Sequence, residues 1–152
     1  MTRINMKKAK HIALIAHDRK KKELLEWVTF NKDNLKRHNL YATGTTGKII
    51  TDKLGLEIYS FRSGPLGGDS QIGSRIVEGE IDFLIFFWDP LESQPHDPDI
   101  KALLRLAVLW NNPVACNRST ADFIFSSHLM NEEYERIIID ENSYSLNRKI
   151  DV

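Results

Sequence analysis

Hydrophobic positions along the chain fall into short, nearly continuous runs, separated by longer stretches in which they recur at helical spacing. The first run is His11–Ala16, followed by Leu40–Ala42, a weaker one at Leu56–Tyr59, and the strongest at Phe83–Trp88. Pro113–Cys116 and Arg136–Ile139 complete the series. Continuous apolar runs rich in β-branched and aromatic residues suit strands covered on both faces, as in a parallel sheet. The stretches between them read as helices. In Asp99–Trp110 the residues Ile100, Leu103, Leu104, Ala107 and Val108 share a face, with Asp99 the expected N-cap and Pro98 ahead of it. Asp18–Phe30 carries the stripe Leu24, Trp27 and Val28 beside a cationic run from Arg19 to Lys22. Gly73–Glu80 and Ala121–Ser127 are shorter expected helices. Strands alternating with helices predict βαβ units and a doubly wound α/β fold. With no internal repeat, low-complexity stretch or linker, residues 1–152 read as one domain.

Composition narrows the partners. The 152 residues hold 21 Lys plus Arg and 21 Asp plus Glu, so no net field draws the chain to nucleic acid or an anionic membrane. Any anion must be captured by a local site. The single cysteine, Cys116, lies in an apolar run and reads first as a buried small hydrophobe. A basic N-terminus (Arg3, Lys7, Lys8, Lys10) precedes an apolar stretch too short for a signal peptide, and no run approaches a membrane span. The expectation is a cytoplasmic protein.

Ligands of open α/β sheets bind beyond the carboxyl ends of the strands, and the unusual residues of this sequence fall there. After the second run comes Thr43-Gly44-Thr45-Thr46-Gly47, then a helical stretch from Lys48. Glycines admit an anion close to the backbone, and a helix N-terminus offers free N–H groups and a positive dipole end. The P-loop spacing is absent, and an ordinary Thr-capped turn is the alternative. After the third run comes Ser63-Gly64-Pro65-Leu66-Gly67-Gly68-Asp69, whose terminal carboxylate is either an N-cap or a catalytic group. The fourth run leads into a loop stiffened by Pro90, Pro95 and Pro98 that carries Asp89, Glu92, His96, Asp97 and Asp99. His17-Asp18 ends the first run, and Lys21 lies one turn into the following helix, able to reach back toward an anion. His17, Asp69, Asp89, His96 and Asp99 could ligate a metal, but no pair has compact ligand spacing on one helix, so no metal is expected.

Taken together, Ala16-His17-Asp18, Tyr41–Gly47, Ser63–Asp69, Phe86–Leu91, Pro95–Asp99, Lys101–Ala107, Asn111–Ala115 and Thr120–Phe123 resemble bacterial methylglyoxal synthase. The resemblance runs from about His11 to Phe125, more loosely to Arg148. It implies a five-stranded parallel sheet flanked by helices, a homohexamer, no cofactor, and a response to inorganic phosphate that is allosteric in character. It implies conversion of dihydroxyacetone phosphate to methylglyoxal and inorganic phosphate, through an ene-diolate. A phosphate pocket would draw on Lys21, Thr43, Gly44, Thr45, Thr46, Ser63 and Gly64, with Asp69 the base and His96 and Asp99 its partners. His17, Asp18 and Asp89 would line or support the same pocket. Arg148 would correspond to an arginine serving the phosphate or a neighbouring subunit. A similar fold occurs as the allosteric domain of carbamoyl phosphate synthetase, so a non-catalytic effector-binding module is the alternative reading.

Overall fold

The computed structural model describes residues 1–148. Strands β1 (Thr2–Met6), β2 (His11–Ala16), β3 (Asn39–Thr43), β4 (Ile58–Phe61), β5 (Phe83–Phe87), β6 (Val114–Ala115) and β7 (Tyr134–Ile138) alternate with helices. The helices are α1 (Lys21–Phe30), α2 (Lys32–Leu35), α3 (Gly44–Leu54), α4 (Gly68–Val77), α5 (Asp97–Leu109), α6 (Arg118–Phe125) and α7 (Glu141–Asn147). Five strands form a parallel sheet in the order β4-β3-β2-β5-β6. The chain winds outward from β2 through β3 to β4, then returns to the other side of β2 with β5. That reversal opens a crevice at the carboxyl ends of the central strands.

The apolar runs form these strands because both faces of the sheet are covered. Ile12, Leu14 and Ala16 of β2 and Phe83, Ile85 and Phe87 of β5 enter one core with Leu24, Trp27 and Val28 of α1 and Phe125 of α6. Ala13, Ile15, Leu84 and Phe86 enter the other with Ile72 and Ile76 of α4 and Ile100, Leu103 and Ala107 of α5. Period-two alternation thus survives, but it sorts residues between two apolar layers instead of core and solvent.

Several expected boundaries move. The third apolar run is paired over Ile58–Phe61, two residues later than its hydrophobic pattern suggests, because buried Leu56 belongs to the approach to the strand. The Thr/Gly segment after β3 is no separate loop: α3 begins at Gly44, with Thr43 at the N-cap. α4 starts at Gly68, five residues before the expected helix, and α6 at Arg118. Asp99 is not the N-cap of α5; His96 holds that position and Asp99 sits in the first turn. The run at 136–139 does pair, as β7, but outside the main sheet: it forms an antiparallel ribbon with β1, which the basic N-terminus concealed. Among the described residues, no helix is long and apolar enough to cross a membrane.

Candidate active site

A cavity of about 260 Å³ opens at the carboxyl ends of β2, β3, β4 and β5. His17, Asp18, Lys21, Thr43, Thr45, Thr46, Ser63, Gly64, Asp69 and His96 line it, joined by Ile15, Ala16, Pro65 and Gln94. Pockets for drug-sized ligands run from roughly 300 to 1,000 Å³, so this one suits a small metabolite.

Each element delivers its residue for a local reason. Thr43 holds the N-cap position of α3 without a side-chain capping bond, and the first turn of any helix leaves backbone N–H groups unpaired, with a positive dipole end. That end carries Thr45 and Thr46 into the cavity, and the Thr46 hydroxyl is buried with no protein partner. After β4 the chain folds back on the Ser63 carbonyl, which accepts from the N–H groups of Leu66 and Gly68 at 3.0 Å each. A Cβ at Gly68 would stand 1.9 Å from the Arg62 carbonyl oxygen, so only glycine lets α4 start this close to β4. The tight start places Asp69 in the first turn of α4, inside the cavity.

Asp69 is 1% exposed, and neither carboxylate oxygen has a hydrogen-bond partner. The capping alternative therefore fails: Gly67 is the N-cap, and the carboxylate faces the pocket. Nε2 of His96 stands 3.5 Å from Oδ2 of Asp69, and Nδ1 of His96 is buried without a partner. Burial pushes the Asp69 carboxyl above the usual carboxylate range, and Asp99 adds to the rise against the opposing pull of His96. Asp99 does not line the cavity; it reaches the site only through its charge.

His17 packs edge-on against Phe86 and His96, with ring centroids 5.1 and 6.0 Å away. Its Nδ1 accepts the backbone N–H of Asp89 at 3.0 Å. Burial, with His96 alongside, holds the imidazole below its ordinary pKa. Asp89 is buried and lies beyond the cavity wall, its Oδ1 accepting the Leu91 N–H at 3.0 Å. Lys21 pairs with Asp18, and the lysine holds that carboxyl below the usual range. Gly44 starts α3 without lining the cavity. Arg148 is not brought there either: it is exposed, and its guanidinium lies 5.8 Å over the Tyr144 ring. Gln94 is the lining polar residue that the sequence did not single out, since nothing in its type distinguishes it from Ser93 beside it. Among the described residues, no three His, Cys, Asp or Glu side chains converge to hold a metal ion.

Fold and site together define a doubly wound α/β protein whose cavity is lined by the first turn of α3 and by a buried carboxylate–imidazole pair. Residues 23–116 match the model of the MGS-like domain family. The methylglyoxal synthase of Vibrio cholerae serotype O1 is 59% identical over 139 residues, covering 91% of this chain and 92% of that one. That of Leptospira interrogans is 53% identical over 143 residues, covering 94% and 97%. The crystal structure of methylglyoxal synthase from Elizabethkingia anophelis superposes with a TM-score of 0.92 at 52% identity, covering 99% of this chain and 98% of that one. The chain belongs to the methylglyoxal synthase family.

Proposed function

We propose that this chain is a carbon–oxygen lyase that converts dihydroxyacetone phosphate to methylglyoxal and inorganic phosphate. The observation that carries the reading is the Asp69–His96 pair, buried at 3.5 Å, in one cavity with the N-terminus of α3. A carboxylate raised above its usual range by burial is a stronger base than one in water. Asp69 takes a proton from the hydroxymethyl carbon, and the electron pair moves onto the carbonyl oxygen, where His96 supplies a hydrogen bond. The hydroxyl on the deprotonated carbon passes its proton to the former carbonyl oxygen, and its oxygen then closes an aldehyde while the double-bond pair shifts toward the phosphate-bearing carbon. The carbon–oxygen bond to the phosphoryl group breaks, phosphate leaves with the bonding pair, and the enol left behind ketonises to methylglyoxal.

Whether the ene-diolate loses phosphate or is merely reprotonated depends on geometry. Expulsion needs the scissile bond parallel to the π system and donors that hold the departing dianion. Thr45, Thr46 and the first turn of α3, with Ser63 and Gly64 opposite and Lys21 beside them, would supply both. Asp18, His17 and Asp89 support this arrangement. No redox carrier or metal takes part in the scheme. A purely regulatory effector module would have no use for a buried carboxylate without a hydrogen bond set against an imidazole, and that arrangement favours the lyase.

We extend the reading to a cytoplasmic homohexamer in which residues 1–152 act as one domain and phosphate acts allosterically. Arg148, exposed and outside the lining of its own cavity, would serve a neighbouring copy. Residues 149–152 lie outside the described residues. Incubating the pure protein with dihydroxyacetone phosphate tests the activity: methylglyoxal and phosphate should appear in equal amounts, and Asp69→Asn should abolish both while still binding phosphate analogues. Near-normal turnover by that variant removes Asp69 as base. Sigmoidal substrate dependence appearing with added phosphate would support allostery; hyperbolic curves with only a raised KM would count against it.

A further inference from the structure

We propose that Gln94 is a further catalytic residue, whose side-chain amide donates a hydrogen bond to the free hydroxyl oxygen of dihydroxyacetone phosphate. Through that contact it selects the substrate and favours elimination over reprotonation. The inference rests on the lyase reading above and gives a partner to the end of the substrate that the other cavity residues leave unheld.

The reaction makes demands at the phosphate, at the carbonyl and at the hydroxyl of the deprotonated carbon. The first turn of α3 with Lys21 answers the first, and Asp69 with His96 answers the second. The third demand is specific. The hydroxyl must turn its proton toward the former carbonyl oxygen, and its own oxygen carries negative charge until the aldehyde closes. A neutral donor at that oxygen stabilises the charge and leaves the hydroxyl proton free to turn. An acceptor in the same place would hold the proton back. The NH₂ group of a glutamine supplies donors that neither take up nor release a proton near neutrality.

Gln94 is half-buried and lines the cavity, whereas Ser93 beside it is exposed and does not. Both backbone groups of Gln94 are engaged. Its N–H donates to Oδ1 of Asp97 at 3.2 Å, and its carbonyl accepts the Asp97 N–H at 3.2 Å. Its side-chain amide has no partner among the described residues, so the amide is what Gln94 has left to offer a ligand. Only Pro95 separates it from His96, whose Nε2 faces Oδ2 of Asp69 at 3.5 Å. An uncommitted amide thus joins the cavity on the same strap that carries the partner of the base.

The strap, residues 88–96 between β5 and α5, is held along its length. Oδ1 of Asp89 accepts the Leu91 N–H at 3.0 Å near its start. Glu92 pairs with Arg19 at 2.8 Å, which ties the middle to the turn after β2. The reciprocal bonds between Gln94 and Asp97 close the far end onto α5. A donor on so restrained a segment is positioned before substrate arrives, which is the condition for it to act on a developing charge.

Hydrogen exchange in heavy water separates enolisation from elimination, because recovered substrate gains deuterium at the hydroxymethyl carbon only when the ene-diolate is reprotonated. Gln94→Met keeps the chain length and loses the amide. It should lower kcat by about 10–10²-fold, with a much smaller change in KM, and should raise the ratio of exchange to phosphate release. Gln94→Glu, which replaces the donor by a charged acceptor, should turn over more slowly still. A merely structural role would slow exchange and release together, so an unmoved ratio in Gln94→Met overturns the proposal, as does wild-type turnover by Gln94→Glu. Calorimetry reads the contact itself in Asp69→Asn. Hydroxyacetone phosphate, which lacks the hydroxyl, should bind about 2–10-fold more weakly than dihydroxyacetone phosphate, and adding Gln94→Met should remove most of that preference. A preference that survives the second substitution overturns the contact. If the wild type makes no methylglyoxal, the lyase reading falls, and the binding ratio still decides whether Gln94 holds the hydroxyl.

Discussion

A Cβ added to Gly64 would lie 2.7 Å from Nε2 of His96, so the imidazole occupies the space that any larger residue at position 64 would take. The pocket wall and the partner of Asp69 are thus fitted to each other. Gly64→Ala should displace the His96 ring and lower kcat by about 10²-fold, the scale expected for a displacement near 1 Å. Overpacking should destabilise the fold by about 1–3 kcal/mol. Steady-state kinetics and thermal unfolding of the variant measure both; wild-type kcat would show that the ring is not held by this contact.

Asp69 should make the enzyme trade stability for basicity. Its folded-state pKa is raised, so between the ordinary unfolded value and the folded value the native state binds the extra proton. Stability therefore falls as pH rises through that window and stays lowered at neutral pH. Asp69→Asn, which cannot ionise, should melt at a higher temperature than wild type at pH 7, with the gap closing in acid. Activity runs the other way, falling as acid protonates the base, with its midpoint above the usual carboxylate range. A variant that melts lower at pH 7 would contradict the buried, unpaired carboxylate.

His38 should contribute to acid sensitivity. Its Nδ1 accepts the Lys10 backbone N–H at 2.9 Å, and burial first, then Lys10 and Arg37, bring its pKa to about 4. An imidazole depressed in the fold gives stability that is complete above its unfolded pKa of about 6.5 and is lost as pH falls toward 4. On the order of 1–3 kcal/mol should disappear over that range. Denaturant melts of wild type and His38→Gln at pH 7 and pH 4.5 read the effect: the wild type should lose more stability between the two than the variant does.

Arg136 points from β7 into the molecule, 1% exposed, with all three guanidinium nitrogens buried and unpartnered. Burial lowers its pKa, and Asp82 offsets this only through its charge. Replacing a poorly satisfied buried charge by an apolar chain of similar length is often neutral or stabilising by about 1–4 kcal/mol. Arg136→Met should leave kcat unchanged, the ribbon lying at the other end of the strands from the cavity, and should hold or raise Tm. A fall of several degrees would mean that the Asp82 attraction outweighs desolvation.

The sheet was legible because two-sided burial writes itself into the chain as unbroken apolar runs, and β2, β3 and β5 were placed within a residue or so. What hydrophobicity reports is burial, not pairing, which is why Leu56 drew the β4 boundary too early. Threonine and glycine after β3 read as a loop because both are weak helix formers, yet they fill the first turn of α3 beside the cavity. Residues that line the cavity directly (His17, Lys21, Thr45, Asp69, His96) were visible at strand ends. Asp89 and Asp99 were named from the sequence too, but not how they are placed: Asp89 meets His17 through its backbone N–H, and Asp99 bears on Asp69 through its charge from outside the cavity lining. Gln94 enters the wall by the path of its loop alone.

The β1–β7 ribbon imposes an order on folding. Arg3 and Glu135, which pair across it at 2.9 Å, stand 132 positions apart in the chain. Closing a free loop of that length costs about 4 kcal/mol in chain entropy, more than two short strands recover alone. Once β2 to β6 have condensed, most of that distance is already spanned by folded structure and closure becomes cheap. Protection from hydrogen exchange should therefore reach His11–Ala16 before Thr2–Met6 during refolding, and pulse labelling would record the interval. The ribbon is a latch that fastens last, at the end of the strands away from the cavity.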